Sequence, residues 1–300
     1  MAFLILFGGG TMVFVAGSEL LVRFVVAPRN GYELYKNEFR TTQATTAVFG
    51  DSHVADSIET SQQIVNLGYP SDTLPLMLAK AERYAASGHA RRVVLQFSPE
   101  QFAVYRVNTR QDEVADDLFS RTTPLLQFMR PHFRRYLLEY WKTIINNPAL
   151  LWMTEPTTNE GPAAAPPTFA DLPAAEQRRS AEIRVQLQTP LPAGPVVDRM
   201  VAQLGDSLDA LQRRHLEVCL VEFPLTGAYR RAAATIPSFA DLRVRTKKLA
   251  TDKNVKFVDL TESLPDSLFG DSDHVAPAGR VTVTRLVLQG CFSFEPTAAR

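Results

Sequence analysis

Short, continuously apolar stretches recur along this chain, and a segment with helical periodicity follows most of them. Three examples are RRVVLQF at 91–97, LEVCLVEF at 216–223 and VKFVDL at 255–260. Apolar runs that do not alternate with polar residues are typical of strands buried on both faces of a parallel sheet. We therefore predict an α/β fold, a doubly wound parallel sheet with flanking helices.

The same pattern sets the order of the elements. Strands are predicted at 46–50, 64–69, 91–97, 216–223 and 255–260, and helices at about 71–87, 196–215, 238–254 and 276–290. About 118 residues separate the third strand from the fourth, which is far more than a crossover between parallel strands needs. We therefore predict an α/β domain over 41–290 that residues 103–195 interrupt as an insertion.

Two kinds of sequence make up the predicted insertion. Residues 111–152 look helical and rich in aromatic side chains, and Pro131 should break the helix. Their interleaved Arg, Phe and Tyr residues would also suit a nucleic-acid or membrane surface, but we favour an amphipathic helix packed on the domain. Residues 155–195 hold eight of the twenty prolines, so we predict a loop or lid there.

The amino-terminal segment differs from the rest of the chain. Residues 1–18 carry no charged side chain, and the apolar character continues to Val26. About 20 apolar residues are needed to cross a bilayer, so we predict a transmembrane anchor over 1–27. Glu19 and Arg23 are four residues apart and could pair within such a helix. A buried helix of a soluble domain is the alternative.

The charges around this segment bear on its orientation. No Lys or Arg precedes Arg23, whereas Arg29, Lys36 and Arg40 follow it. Because basic residues collect on the cytoplasmic side of a membrane, this pattern taken alone favours a cytoplasmic domain.

Charge and cysteine content exclude several classes of function. The formal net charge is zero, with 32 basic and 32 acidic residues, which gives no support to a nucleic-acid partner. Cys219 and Cys291 are too few for a disulfide framework or a cysteine-rich zinc site. They could form a single bridge, but the apolar surroundings of Cys219 favour two buried thiols.

Polar residues follow the first predicted strand at once, in the sequence Gly50-Asp51-Ser52-His53. Ligands of open parallel sheets bind at the carboxyl ends of the strands. Ser52 would begin the following helix, where its backbone N–H could stabilise an oxyanion. Its hydroxyl would need a base in order to act as a nucleophile.

A candidate base lies near the other end of the chain, in the sequence FGDSDHVAPAGR. Asp271 and His274 are three residues apart, so one turn could bring the carboxylate against Nδ1 and leave Nε2 facing Ser52. His274 would take the serine proton and pass it to the leaving alcohol. Asp273 could replace Asp271 as the partner. Activity should then fall as His274 takes up a proton, within roughly pH 5–8.

FGDSH after a strand and DSDHVAPAGR before a terminal helix together resemble the SGNH (GDSL-type) hydrolase superfamily, whose three-layer fold is flavodoxin-like. The resemblance implies that Ser52 is the nucleophile, His274 the base and Asp271 its partner, and that no cofactor or metal is required. IVNLGYPSDTLPLMLAK resembles the family's second block. It implies a backbone donor to the oxyanion hole, besides that of Ser52, at Ser71 or at Gly68.

The third block of the family departs from this pattern. It normally carries Gly-x-Asn-Asp after a strand, and this chain has QFSPEQF there. The Asn donor of the oxyanion hole is therefore missing, or is replaced by Ser98, Gln96 or Gln101.

The GDSH and Asp-x-Asp-His forms, together with an amino-terminal anchor, are similar to SGNH domains that act on O-acetyl groups of cell-surface polysaccharides. The resemblance implies a membrane-anchored O-acyl esterase, with an acylated glycan or small ester as substrate and the α/β domain on the extracytoplasmic side. An O-acyltransferase is the alternative within the same chemistry.

Other classes of function fit parts of the sequence. A non-catalytic SGNH fold that binds glycans or acts as a scaffold would explain the altered third block. The Asp-x-His pattern of Asp51 and His53 also begins the metal site of two-metal phosphoesterases. Such a site needs further ligands, and His89, His132 and His215 lie in polar or Arg-rich segments, where we expect surface or structural roles. The Gly-x-Ser-x-Gly turn of α/β-hydrolases is absent from the sequence.

Overall fold

The computed structural model describes residues 2–109, 111–120, 125–151 and 167–292. The chain packs as two compact units. One is a helical unit of residues 1–41 and 110–164, and the other is an α/β unit of residues 42–109 and 165–300. The limits predicted from the sequence for the anchor, the domain and the insertion stay predictions.

The helices and strands follow in chain order. The α-helices are α1 Ala2–Leu20, α2 Gly31–Thr41, α3 Ser52–Ser57, α4 Leu74–Ala85, α5 Val104–Val107, α6 Asp112–Phe119, α7 Pro131–Arg134, α8 Leu137–Asn146, α9 Ala174–Leu187, α10 Pro195–Gln212, α11 Gly227–Ala233, α12 Pro237–Asp252 and α13 Arg280–Cys291. The strands are β1 Thr46–Phe49, β2 Ile64–Asn66, β3 Arg92–Gln96, β4 Glu217–Glu222 and β5 Lys256–Asp259.

The five strands form one parallel sheet in the order β2-β1-β3-β4-β5. Thr46 of β1 lies opposite Ile64 on one side and Arg92 on the other. The chain runs outward from β1 to β2 and then returns across β1 to β3, which makes the sheet doubly wound. The fold class predicted from the sequence is therefore confirmed. In such sheets the crevice for ligands opens beside the strand at which the order reverses, here β1.

Helices cover both faces of the sheet. Val48 and Val94 point to one face and share an apolar cluster with Val287 of α13. On the other face Phe49 packs edge-on against Tyr84 of α4, with ring centroids 5.8 Å apart. Alternate residues of the strands thus enter different layers, and the continuous apolar runs reflect burial on both sides.

The predicted loop at 155–195 is wrong for the part of it that the structure describes. Helix α9 covers Ala174–Leu187 and buries Ala181 and Val185 in the core. Two prolines stand at helix starts, since Pro173 precedes α9 and Pro195 opens α10. Proline suits the first turn of a helix because its missing N–H would have no partner there. Residues 155–166 lie outside the described residues.

Within the helical unit, α1 continues through a turn of π-helix at Leu21–Val26 and a 3₁₀ turn at Ala27–Arg29. Gly8–Arg29 is long and apolar enough to cross a membrane, with a mean hydropathy of 1.6, although a signal sequence or a core helix would pass the same test. The predicted pair forms, with Arg23 Nε donating to Glu19 Oε1 over 2.8 Å.

The aromatic segment packs on this amino-terminal helix. Phe128, Phe133 and Leu137 form a buried cluster with Val22, and the indole N–H of Trp141 donates to Ser18 Oγ over 3.0 Å. These contacts join the segment to the amino-terminal helix of the same unit, and packing of the segment on the α/β domain stays a prediction.

Cys219 and Cys291 are joined by a disulfide, with 5.6 Å between their Cα atoms. The expectation of two free thiols is therefore corrected. Cys219 lies on the face of β4 that α13 covers, and α13 ends at Cys291. An apolar sequence around a cysteine predicts that its side chain is buried. It does not predict which other buried side chain the fold brings next to it.

Candidate active site at the carboxyl edge of the sheet

A tight turn follows β1 and carries Ser52. We call residues 50–53 the nucleophile turn. A Cβ on Gly50 would lie 2.2 Å from Gln96 Oε1, so only glycine fits where the neighbouring strand comes this close. The same Gln96 oxygen accepts the backbone N–H of Asp51 over 2.8 Å. The side chain of Asp51 caps α3 by accepting the N–H of His53, and these bonds fix the helix start that presents Ser52.

Ser52, His274 and Asp271 form a continuous hydrogen-bonded chain. The Oγ of Ser52 lies 2.8 Å from Nε2 of His274, and Nδ1 of His274 lies 2.8 Å from Oδ2 of Asp271. A neutral imidazole protonated at Nδ1 satisfies both contacts, because it donates to the carboxylate and accepts from the hydroxyl. The fold thus joins two loops that are 222 residues apart in sequence.

The carboxylate of Asp271 is held by its own loop. We call residues 271–274 the base loop. Oδ1 of Asp271 accepts the backbone N–H groups of Asp273 and His274 over 3.0 and 2.8 Å. Burial raises the pKa of Asp271, but the hydrogen bond and charge of His274 outweigh it and hold the pKa below its usual value. An ionised carboxylate can orient the imidazole and stabilise its protonated form.

Asp273, the alternative partner, has other contacts. Its Oδ1 is 3.5 Å from Nδ1 of His274, which is too long for a good hydrogen bond. It pairs with Arg184 Nε over 3.1 Å and accepts from Gln188 Nε2 over 2.8 Å. Asp271 is therefore the better placed of the two to orient His274.

His53 lies behind the reactive pair and is almost fully buried. Its Nδ1 is 2.8 Å from Asp51 Oδ1, and its Nε2 is 3.3 Å from Asp273 Oδ2. Its ring stacks on that of His274, with centroids 5.0 Å apart and planes 23° apart. Burial alone lowers the pKa of His53, but the charge of Asp51 and the bonds to Asp273 and Asp51 raise it well above its usual value.

Arg106 ties the nucleophile turn to the loop after β2. Its guanidinium donates to Asp51 Oδ2 over 2.9 Å and to the backbone carbonyl of Asp72 over 3.0 Å. Burial raises the pKa of Asp51, but the charges and hydrogen bonds of His53 and Arg106 hold it well below the usual range. The loop that carries Ser71 is thereby held beside Ser52's turn.

The predicted oxyanion donors are placed as follows. The first N–H groups of a helix have no partner within the helix, which leaves that of Ser52 as a candidate. The Gly68 N–H donates to the side chain of Asn66 over 3.0 Å. Ser71 adopts a left-handed backbone, with φ of 70°, a conformation that glycine adopts more readily.

The three residues considered as replacements for the missing Asn lie under the nucleophile turn. Ser98 Oγ accepts from Gln96 Nε2 over 2.6 Å. Gln101 Nε2 is 3.4 Å from Asp51 Oδ2. Their described bonds support Asp51 and its turn, and none of these bonds reaches Ser52.

The sequence did not predict a role in this site for four residues, namely His53, Glu100, Arg106 and Arg184. Glu100 and Arg106 could have been noticed because they follow the carboxyl end of β3, where ligands of such sheets bind. No comparable signal marks Arg184, since it lies in the segment predicted as a loop.

Two groups of side chains have the composition of a metal site. His53, Asp273 and His274 form one, and Asp51, His53 and Glu100 form the other, with ligand atoms within 4.8 Å of one another in each. Imidazoles and carboxylates suit zinc and related ions. Asp51 and Asp273 already pair with Arg106 and Arg184, whereas His53 Nε2 and Glu100 Oε1 make no hydrogen bond with the described residues. A cation at either group would have to compete with an arginine.

A cavity of about 490 Å³ opens in the α/β unit, lined by residues of α3, the β2 loop and the start of α13. Gly68 and Ala55 form part of its wall, and Pro277 forms another. Neither Ser52 nor His274 is among its lining residues. Its lining includes the polar residues Glu59, Thr60, Asn66 and Arg280.

No family model matches the chain, and neither does any curated protein. Several solved structures are similar in fold. One is from Bacteroides fragilis and its name contains the word acylhydrolase. It is 14% identical, with a TM-score of 0.43, and the match covers 87% of this chain and 96% of the other.

Two others have comparable values. A structure from Streptococcus, whose name refers to a platelet activating factor, is 13% identical with a TM-score of 0.45, covering 94% of this chain and 99% of the other. A lipase/acylhydrolase from Enterococcus faecalis is 13% identical with a TM-score of 0.38, covering 82% and 94%. At these values the matches are similarities only, and the assignment below rests on the geometry of the site.

Proposed function

We propose that this chain is a serine ester hydrolase of the SGNH type, acting through Ser52, His274 and Asp271. The observation that carries the proposal is the hydrogen-bonded chain from Ser52 Oγ through both nitrogens of His274 to Asp271. It lies at the carboxyl edge of a doubly wound sheet, where such folds bind their ligands. A serine placed against a base that a carboxylate orients is the arrangement that nucleophilic acyl transfer requires.

The first half of the reaction forms an acyl-enzyme. Oγ of Ser52 attacks the carbonyl carbon of the ester while Nε2 of His274 accepts the hydroxyl proton. The negative charge on the carbonyl oxygen is stabilised by backbone donors, with the Ser52 N–H and the loop of Ser71 as candidates. The tetrahedral intermediate then collapses, the C–O bond to the alcohol breaks, and His274 gives its proton to the departing oxygen.

The second half releases the acyl group. A water molecule, with His274 again as base, attacks the acyl carbon and regenerates the Ser52 hydroxyl, which yields a carboxylic acid. If an acceptor alcohol attacks instead of water, the same residues perform O-acyl transfer. We propose a carbohydrate O-acyl ester as the substrate, on the resemblance of the GDSH and Asp-x-Asp-His forms described above.

The proposed location is the extracytoplasmic face of a membrane. Gly8–Arg29 would supply the anchor. The Cys219–Cys291 disulfide supports an oxidising compartment, because reducing pools keep cytosolic thiols free. It weighs against the cytoplasmic orientation that the basic residues after the anchor favour. Protease treatment of intact cells or spheroplasts tests this: digestion of the α/β unit without lysis supports the proposal, and protection contradicts it.

A non-catalytic role is the second candidate, and one observation favours it. The Gly68 N–H donates to Asn66, and the Gln96 amide donates to Ser98, so two of the donors predicted for the oxyanion hole have other partners. Such a protein would keep the fold and bind an acylated glycan without cleaving it.

A fluorophosphonate probe separates the two candidates. We expect the folded protein to be labelled at Ser52, and Ser52→Ala to abolish labelling. Ser87→Ala is the matched control, because Ser87 is exposed at the end of α4 and its removal should leave labelling unchanged. Absence of labelling in wild-type protein with a normal circular dichroism spectrum would favour the binding role.

Hydrolysis and transfer differ in the fate of the acyl group. Incubation with an O-acetylated oligosaccharide, with and without a non-acetylated acceptor, measures released acetate against acetylated acceptor. We expect release of acetate to dominate. Transfer that exceeds release at millimolar acceptor would replace the esterase assignment by an acyltransferase.

A further inference from the structure

The mechanism above leaves one buried titratable side chain without a role. His53 is adjacent to Ser52 in sequence, yet its ring turns inward and is 2% exposed. It contacts Asp51 of its own turn over 2.8 Å and Asp273 of the base loop over 3.3 Å. Glu100, from the segment after β3, lies 3.7 Å from Nδ1, and the His274 ring stacks on the opposite face. Acidic groups therefore approach it from three segments.

We propose that His53 is a positioning residue, a buried imidazolium that bridges Asp51 of the nucleophile turn and Asp273 of the base loop and so holds Ser52 against His274. The inference rests on the proposed function and assigns a role that the reaction itself does not require of this residue. The contact with Asp51 is short, whereas Nε2 faces Asp273 at 3.3 Å as an ion pair without good hydrogen-bond geometry. The two loops that His53 joins are those that carry the nucleophile and the base.

The charges around the bridge require a cation at this position. Asp51 and Asp273 have fully buried side chains. Arg106 binds Asp51, and Arg184 binds Asp273 while also reaching Asp271 over 3.3 Å. Each buried carboxylate thus has one arginine, and a protonated His53 supplies a positive charge that both carboxylates share. Removing one partner of a buried charge leaves the other uncompensated, which is strongly unfavourable.

The bridge also acts on the base. Asp273 Oδ1 is only 3.5 Å from His274 Nδ1, so the carboxylate competes with Asp271 for this ring. An imidazolium at His53, on the other side of Asp273, offsets the negative charge of this carboxylate. The carboxylate then interacts less strongly with His274. The His53 ring also stacks directly on the His274 ring, so a charge on His53 lies against the base that must accept the proton of Ser52.

Substitution of His53 tests the role. For His53→Gln we expect kcat to fall about 10- to 100-fold, as for a displaced reacting group, with KM changed by less than about threefold. The acid limb of the kcat/KM profile should move to higher pH, because a positive charge beside the base is lost. His89→Gln, at an exposed histidine, should change neither quantity.

A compensated variant separates a positioning role from a merely structural one. In His53→Gln/Asp273→Asn the cation and the carboxylate that it balances are both removed, so the acid limb should return to within about 0.3 units of wild type. Circular dichroism confirms folding of each variant. An acid limb that stays at the wild-type pH in folded His53→Gln would overturn the proposal.

A readout independent of activity keeps this inference apart from the proposed function. In a nitrogen-15 NMR correlation of the histidine rings, both nitrogens of His53 should remain protonated at a pH where an ordinary imidazole, with a pKa near 6.5, has lost its proton. A neutral His53 ring at pH 7 would refute the cationic bridge even in an active enzyme. Conversely, an unlabelled wild-type protein with a doubly protonated His53 would refute the esterase and leave the bridge in place.

Discussion

Two aspartates of the base loop differ in their surroundings although one residue separates them. Asp271 is partly exposed and contacts His274 directly, whereas the side chain of Asp273 is fully buried and contacts His53, Arg184 and Gln188. The first is placed to orient the base, and the second is placed to hold the loop together. The two should therefore respond differently to the same substitution.

For Asp271→Asn we expect kcat to fall about 10³- to 10⁴-fold, because the imidazole loses the carboxylate that sets its tautomer. Stability should change little, since this side chain is partly exposed. Initial rates on a p-nitrophenyl ester and urea unfolding measure the two effects.

For Asp273→Asn we expect the free energy of unfolding to fall by about 3–5 kcal/mol, because Arg184 and His53 lose a buried partner. Any loss of rate should be smaller than for Asp271→Asn. A larger loss of rate with Asp273→Asn than with Asp271→Asn would reverse the roles.

At this scale the sequence allowed the reactive residues to be predicted but not their supports. GDSH after a strand and Asp-x-x-His before a helix are local patterns, and each can be recognised without knowing what lies beside it. Arg106 and Arg184 act through contacts with residues 55 and 87 positions away. A local sequence pattern does not predict contacts between residues so far apart in the chain.

Among the elements, α4 carries a lysine in the interior of the α/β unit. Lys80 is fully buried and donates to Asp72 and to the backbone carbonyl of Leu67. Burial lowers the pKa of Lys80 and raises that of Asp72 to about 6, although each charge stabilises the other. The pair ties α4 to the loop that carries Ser71, so the strained backbone of Ser71 is held by a helix behind it.

We expect Lys80→Met to lower the free energy of unfolding by about 3–5 kcal/mol, because Asp72 would be left buried without its cation. The double variant Lys80→Met/Asp72→Leu should recover most of this loss, since apolar side chains can replace a buried ion pair. Urea titrations followed by circular dichroism give the values.

A double variant no more stable than Lys80→Met alone would show that the pair does more than balance charge. Lys248→Met is the matched control. Its amine pairs with Asp252 on the surface of α12, and exposed pairs contribute only about 0–1 kcal/mol.

Strands could be predicted from the sequence where consecutive residues are buried on both faces of the sheet. Strands β1 and β3 and the second half of β4 are buried, and their continuous apolar runs report this directly, whereas no residue of β5 is buried. Helix α9 has no such signal, because only Ala181 and Val185 of its fourteen residues are buried. Its flanking prolines indicated a loop, although they stand where a helix begins.

For the whole molecule, the buried carboxylates should set the response to acid. Asp51, Asp117 and Asp273 have pKa values held below the usual range, that of Asp117 at about 2, where burial alone would raise it but bonds from Arg130 and Lys36 dominate. These groups are protonated near pH 4 in the unfolded chain. Their contribution to stability is therefore present above pH 4 and is lost as the pH falls below it.

We expect the midpoint of urea unfolding to fall steadily between pH 4 and pH 2.5. Circular dichroism in a series of buffers at constant ionic strength measures it. A midpoint that does not change over this interval would mean that the three carboxylates are not ionised in the folded chain.

The disulfide closes a loop of 72 residues between β4 and the end of α13. A loop of this length is expected to stabilise the fold by about 4 kcal/mol, mainly by restricting the unfolded chain. Reduction with dithiothreitol should therefore lower the urea midpoint of the wild-type protein. Cys219→Ala/Cys291→Ala is the control, since it should be less stable than the oxidised protein and insensitive to the reductant. Equal midpoints with and without reductant would contradict this prediction.

The separation of 222 positions between Ser52 and His274 has a consequence for synthesis. A ribosome completes the nucleophile turn long before it reaches the base loop. A nascent chain that ends before residue 274 does not contain the base, so the reactive pair cannot assemble until that residue has been added. The disulfide likewise cannot form until Cys291 has been added, so both links across the fold are made late in translation of this domain.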